Sequence, residues 1–176
     1  MSEENTTFRN TSELLTVANE YCYFIENISK YETDDIIEFL RKILPMLYLK
    51  GCLIEPVEEC DDAFMQRYVT EETYQEIFNE IRNKLSGYNE FYEFDNELKE
   101  PVAKTMAECL TDIYQDMKDI LTVFMRGIEP EKICAVYYLN QWFTDRWGAQ
   151  ATTLLPVLHK YFTDKFSGNN AGTDFD

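Results

Sequence analysis

Over most of the chain between Leu14 and Phe162 the apolar residues recur every three or four positions, and no stretch alternates convincingly between apolar and polar. Spacings of three and four stack side chains on one face of an α-helix, whereas a half-buried strand needs every second residue. The pattern therefore predicts an all-α fold. Leu14, Leu15, Ala18, Tyr21, Cys22, Ile25 and Ile28 make a first stripe, with Thr11 or Ser12 as the expected cap. Ile36, Ile37, Leu40, Ile43, Leu44, Leu47 and Tyr48 make a second behind Thr33, with Pro45 expected to kink the helix and Gly51 to end it. In "VTEETYQEIFNEIRNKLSG", Thr70 is the expected cap, Tyr74, Ile77, Phe78, Ile81 and Leu85 the stripe, and Gly87 the stop.

Further on, Pro101 suits the first turn of a helix that reaches Arg126, with Gly127 closing it. Pro130 opens another helix, which extends to Trp147. Leu154, Leu155, Val157, Leu158, Tyr161 and Phe162 belong to a last one, in which Pro156 either makes a kink or sits in the first turn. Residues 52–69 read as a connection, and "YNEFYEFDNELKE" (88–100) as an ordered aromatic loop. At 176 residues, 45% of them hydrophobic, there is material for one core and not for two. The expectation is a single-domain bundle of six or seven helices over residues 11–166. A flexible start (1–10) and a disordered polar tail (167–176) flank it.

Two helices carry the polar question. On 131–147 the residues Ile133, Cys134, Val136, Tyr137, Tyr138, Leu139, Trp142, Phe143 and Trp147 point nearly all the way round. A helix apolar on every side is expected at the centre of its domain. Arg146 then falls on an apolar flank, where a guanidinium needs a carboxylate or an aromatic face. On 101–126, Glu108, Asp112, Asp116 and Asp119 cluster away from the apolar stripe of Met106, Leu110, Ile113, Tyr114, Met117, Ile120, Leu121 and Phe124. Acids one turn apart repel by a few tenths of a kcal/mol per pair. The simplest expectation is a solvated acidic face; a structural ion-pair cluster and a hard-cation or catalytic site are the alternatives. The lone cation facing these acids suggests that Arg146 pairs with Asp112 or Asp116 across the short turn between the helices. Gly148, next along, would let the chain bend or let another helix come close.

"AECLTDIYQDMKDIL" (107–121) taken with "WFTDRWGAQATTLLPVLH" (142–159) resembles the bacterial domain-of-unknown-function family numbered 5063. "VTEETYQEI" (69–77) and "YNEFYEFD" (88–95) resemble its central segment, so the likeness spans roughly 14–159. "TDIYQDMK" and "RWG" are its most specific pieces. The resemblance implies an all-helical single domain and brings no activity with it. It also implies a metal-like cluster in relatives that carry histidines where this chain has Arg146 and Gln150; those ligands are absent here.

The remaining chemistry is sparse. His159 is the only histidine, expected to be partly buried, and Pro156 occupies the place of the acid in a Glu-x-x-His motif. Neither a nucleophilic triad nor a phosphate loop can be built. Tyr92, Phe94, Tyr114, Tyr137, Tyr138 and Trp142 could line a pocket, with core packing the commoner role. The net charge of −17, from 33 acidic and 16 basic residues, argues against nucleic acid and anionic membranes as partners. Residues 55–100 alone hold fourteen acids against four bases, a net of −10, which a basic protein partner could meet.

Five cysteines at 22, 52, 60, 109 and 134, none in CxxC spacing, predict reduced thiols, and 22, 109 and 134 are expected as small core residues. With no basic-then-apolar leader and no membrane-length apolar run, the expectation is a cytoplasmic protein. Two function classes follow. One is a non-catalytic interaction or adaptor module using the acidic segment. The other is a metal-dependent enzyme or small-molecule binder built on Glu108, Asp112 and Asp116, with Arg146 as the electrostatic group. No cofactor and no resident metal are expected.

Overall fold

Six α-helices and one β-hairpin make up the computed structural model, which describes residues 3–95 and 97–170, with side chains for 9–95 and 97–165. In chain order the elements are α1 (Glu3–Glu26), α2 (Thr33–Gly51), α3 (Glu71–Leu85), β1 (Glu90–Asp95), β2 (Glu100–Thr105), α4 (Met106–Arg126), α5 (Glu129–Asp145) and α6 (Trp147–Asn170). The domain is thus predominantly all-α, as the periodicity requires. Residues 171–176, within the tail expected to be disordered, lie outside the described residues.

The helix at the centre is α4, not the 131–147 segment. Thirteen of its residues are buried, and it packs against α1, α3, α5 and α6. Tyr21 of α1 donates its hydroxyl to the carbonyl of Leu110 (2.7 Å) in the buried seam between these two helices. In α5 only Cys134, Ala135 and Leu139 are buried, while Ile133 and Gln141 face solvent. An apolar circumference is therefore a weaker signal of centrality than it looks. Aromatic rings on the flanks of α5 find half-buried seats against one another, as in the Tyr138–Trp142 and Tyr137–Tyr138 contacts, without a shell of protein around them.

Trp147, expected at the end of that same helix, is the first residue of α6 and is fully buried, its indole N–H donating to the Leu139 carbonyl (3.1 Å). The break falls at Arg146 (φ −123°, ψ −105°). Gly148 permits the bend, since a Cβ there would lie 2.2 Å from the Phe143 carbonyl oxygen. Gly51 serves the same junction from the other side: its Cβ would lie 2.5 Å from Trp147 and 2.6 Å from Phe143.

Local signals place the other ends. Thr70 caps α3, accepting from the Thr73 amide (3.2 Å), and Gly127 caps α4 as expected. Thr33 instead lies inside α2 behind Glu32 and donates its hydroxyl to the Lys84 carbonyl (2.9 Å). α1 already runs from Glu3, well before Thr11 and Ser12. α6 continues through Pro156 to Asn170.

The aromatic loop is in fact half of the hairpin. β1 and β2 pair antiparallel, from Glu90↔Thr105 to Asp95↔Glu100. Pro101 lies in β2 opposite Phe94 and not in a helix. A two-stranded ribbon leaves the outer side of each strand unpaired, so a residue with no N–H to donate is tolerated there. Thr105 then caps α4, accepting from the Glu108 amide (3.2 Å). Asn89 fastens the ribbon to the bundle: its side-chain oxygen accepts from the Ala107 amide (2.9 Å) and its carbonyl from the Met106 amide (2.7 Å). Both are first-turn N–H groups with no partner inside the helix.

Candidate functional site

On α4 the i, i+4 spacing carries Asp112 and Asp116 one turn apart, and Asp119 stands almost a further turn along. They do not form the solvated face expected of them. Asp116 is 1% exposed and Asp119 0%; Asp112 is half-buried, and only Glu108 faces solvent. The sequence shows acids off the apolar stripe but not that two other segments cover them. Those are the break between α5 and α6 and the 52–70 connection, which runs as a strap across α4 and α5.

From the break, Arg146 grips Asp116 with two bonds, Nε to Oδ2 at 3.1 Å and Nη2 to Oδ1 at 2.5 Å. The pairing expected of Arg146 is thus present, with Asp116 and not Asp112, but its premise is reversed. Arg146 is 37% exposed, and it is the carboxylate that is indoors. From the strap, Arg67 bonds Asp119 Oδ2 (3.0 Å) and reaches Asp116 Oδ1 (3.5 Å). The amides of Tyr68 and Val69 both donate to Asp119 Oδ1, at 2.7 and 2.8 Å. Both guanidiniums also stand against the Trp142 ring, 4.4 Å from its centroid for Arg67 and 4.5 Å for Arg146. Cation–π attraction adds roughly 0.5–1 kcal/mol each at such partly exposed positions.

Asp112 belongs to a neighbouring set of partners: the Tyr74 hydroxyl donates to one oxygen (2.7 Å) and Gln150 to the other (3.3 Å). Glu108 takes no part in the Asp116–Asp119 cluster.

Burial is the largest influence on Asp116 and lifts its pKa to about 6, with the pull of Arg146 and then Arg67 opposing it. Burial, followed by the bond to Asp112, raises the Tyr74 hydroxyl above its ordinary range. Two carboxylates, two guanidiniums and a tryptophan therefore form a largely neutralised set. No buried side-chain nitrogen or oxygen among the described residues lacks a hydrogen-bond partner. Arg67 was missed in the sequence, though it is the only base between Lys50 and Arg82.

The other candidates scatter. His159 is exposed on α6, contrary to the partly buried position expected of it. Tyr92 and Phe94 project from the hairpin, while Tyr114 is buried, with its hydroxyl donating to Glu26 (3.0 Å). Cys22 and Cys109 are buried free thiols, raised by desolvation, Cys109 to about 12. Cys60 and Cys134 depart from the expected reduced state: they are joined by a disulfide, their Cα atoms 5.3 Å apart. Among the described residues no group of three or more His, Cys, Asp or Glu is placed to hold a metal ion, and no helix is long and apolar enough to cross a membrane.

The family model described as a domain of unknown function, DUF5063, matches residues 5–164. The chain belongs to that family. The match takes in the Asp116–Asp119 cluster, the strap and the hairpin together. The fold is also similar to the crystal structure of protein BF1032 from Bacteroides fragilis, at 30% identity and a TM-score of 0.77, over 86% of this chain and 91% of that one. No curated protein matches the chain.

Proposed function

We propose that this DUF5063 chain is a non-catalytic protein-interaction module that docks a basic, Arg- or Lys-rich segment of a partner on its acidic face. The observation that carries the reading is the hairpin. Tyr92, Phe94 and Leu98 are 75%, 57% and 63% exposed there, interleaved with the exposed acids Glu90, Glu97 and Glu100. Large apolar side chains held in water beside like charges suit a cation with a hydrocarbon stem, because arginine can lie along a ring while its charge meets a carboxylate. The charge of the wider segment supports the same partner. Of the fourteen acids between 55 and 100, twelve are exposed. The acids of α4 argue against the metal or enzyme alternative. A cation at Asp116 would have to displace both Arg146 and Arg67, and one at Asp112 would displace Tyr74 and Gln150.

The test is fluorescence anisotropy with a labelled Arg-rich peptide, a Glu-rich peptide of equal length and a DNA duplex. The Arg-rich peptide should bind alone, should weaken at least tenfold between about 50 and 300 mM salt as screening rises, and should lose at least tenfold with Tyr92→Ala/Phe94→Ala. Binding indifferent to both salt and the double substitution, or preference for the acidic peptide, refutes the reading.

A further inference from the structure

We propose that Cys60–Cys134 is a thiol–disulfide exchange site, through which a low-molecular-weight thiol or a protein dithiol unfastens the 55–68 strap from the Asp116–Asp119 cluster. Cys134 is fully buried next in sequence to Ala135 of the continuous apolar core. That core runs from Leu14 to Leu158 through all six helices and does not include Cys134. What the bond fastens is a segment with one short 3-10 turn, Asp62–Phe64, whose buried apolar anchors Ile54 and Val69 lie at its two ends, with Met65 packed half-buried against the core between them. Between those anchors the strap meets α5 through the disulfide and the Tyr138–Asp62 hydrogen bond, and meets α4 through Arg67 and the Tyr68 and Val69 amides. One covalent link therefore holds the same strap that supplies the contacts to Asp119.

The two sulfurs differ in access. Cys134 is fully buried, whereas Cys60 is only half-buried on an otherwise exposed stretch. An attacking thiolate reaches Cys60; the S–S bond breaks, Cys134 leaves as a thiolate and takes a proton from solvent, and a mixed disulfide remains on Cys60. A second thiol attacks that mixed disulfide, releasing Cys60 as a thiol and the reductant as its own disulfide. Two electrons pass from the pair of thiols to the protein, and a small disulfide such as oxidised glutathione drives the reverse. Cys22 and Cys109 are buried with raised pKa values and stay out of the exchange. Cys52 is exposed and free, so Cys52→Ser removes the one competing accessible thiol among the described residues.

The experiment uses the full chain carrying Cys52→Ser, equilibrated in glutathione buffers from oxidising to reducing. It is read by maleimide mass labelling and by limited proteolysis at Arg67 (trypsin) and at Glu58 and Glu59 (a Glu-specific protease). The expected result is no rapidly labelled thiol when oxidised and at least one, Cys60, when reduced. Strap cleavage should be at least tenfold faster on reduction, with unchanged helical circular dichroism. Cys60→Ser should cut at the reduced rate in every buffer; should it fail to fold, the reduced protein itself supplies the comparison. Equal cleavage in both states overturns the proposal. So does a bond that glutathione opens only on global unfolding, or a pair that never oxidises. The outcome is independent of peptide binding at the hairpin.

Discussion

Replacing Asp119 with alanine isolates what a buried carboxylate does when its partners are mostly backbone. In the native protein Asp119 Oδ1 accepts from the Tyr68 and Val69 amides and Oδ2 from Arg67. Asp119→Ala leaves all three donors behind, and they do not suffer equally. Val69 is buried, so its orphaned N–H costs about 1–3 kcal/mol. Tyr68 is exposed, and its amide can turn to water at little cost. Arg67 is 41% exposed and keeps Asp116 within 3.5 Å, so solvent screening limits its loss to at most about 1 kcal/mol. Deleting the carboxylate also creates a small void, while removing a charge that was costly to bury. The net expectation is roughly 2–4 kcal/mol, a large part of a typical domain's 5–15 kcal/mol. Asp119→Asn keeps an oxygen for both amides but turns an NH2 donor toward the Arg67 guanidinium in place of the acceptor, so about 1–2 kcal/mol is expected. Urea unfolding at pH 7, followed by circular dichroism and by the fluorescence of Trp142 and Trp147, measures both. An alanine cost below 1 kcal/mol, or an asparagine cost equal to it, would refute the argument that the amides, not the ion pair, dominate.

Asp116 supplies a pH-dependent counterpart. Its native pKa, about 6, is above the ordinary 3.8, so between those values the folded state holds more of this proton than the unfolded one. The group's contribution therefore declines as pH rises from about 4 to 6, by roughly 3 kcal/mol. Asp116→Asn should flatten that part of the stability–pH curve, and an unchanged slope in urea titrations would contradict it. Gly51→Ala forces a methyl against Trp147 and Phe143 and should cost about 1–3 kcal/mol by thermal melting. A neutral result would mean that the α2–α6 junction gives way easily.

Helices were legible because each carries its own stripe, and caps such as Thr70 and stops such as Gly127 are local decisions. The hairpin was not: "EFYEFD" buries only Phe91 fully, so a strand with little to hide shows little alternation. The Arg146–Asp116 pair could be read from one cation near several anions, yet the burial of those anions could not. It depends on the strap, whose position is set by distant partners: Asp119, Tyr138 and Cys134. Connectivity among five cysteines is equally nonlocal, since many pairings satisfy the same sequence. The centre of the bundle was misplaced for a related reason, because aromatic flanks on α5 satisfy one another without enclosure.

Asn89 stitches the base of the ribbon to the opening turn of α4, whereas at the far end Glu97, Leu98 and Lys99 are exposed, Lys99 at φ 58°. Root and tip are thus held by different groups. Lengthening or shortening the tip shifts no group that α4 needs to begin, so evolution or an engineer can vary what the ribbon displays while the helical scaffold beneath stays the same.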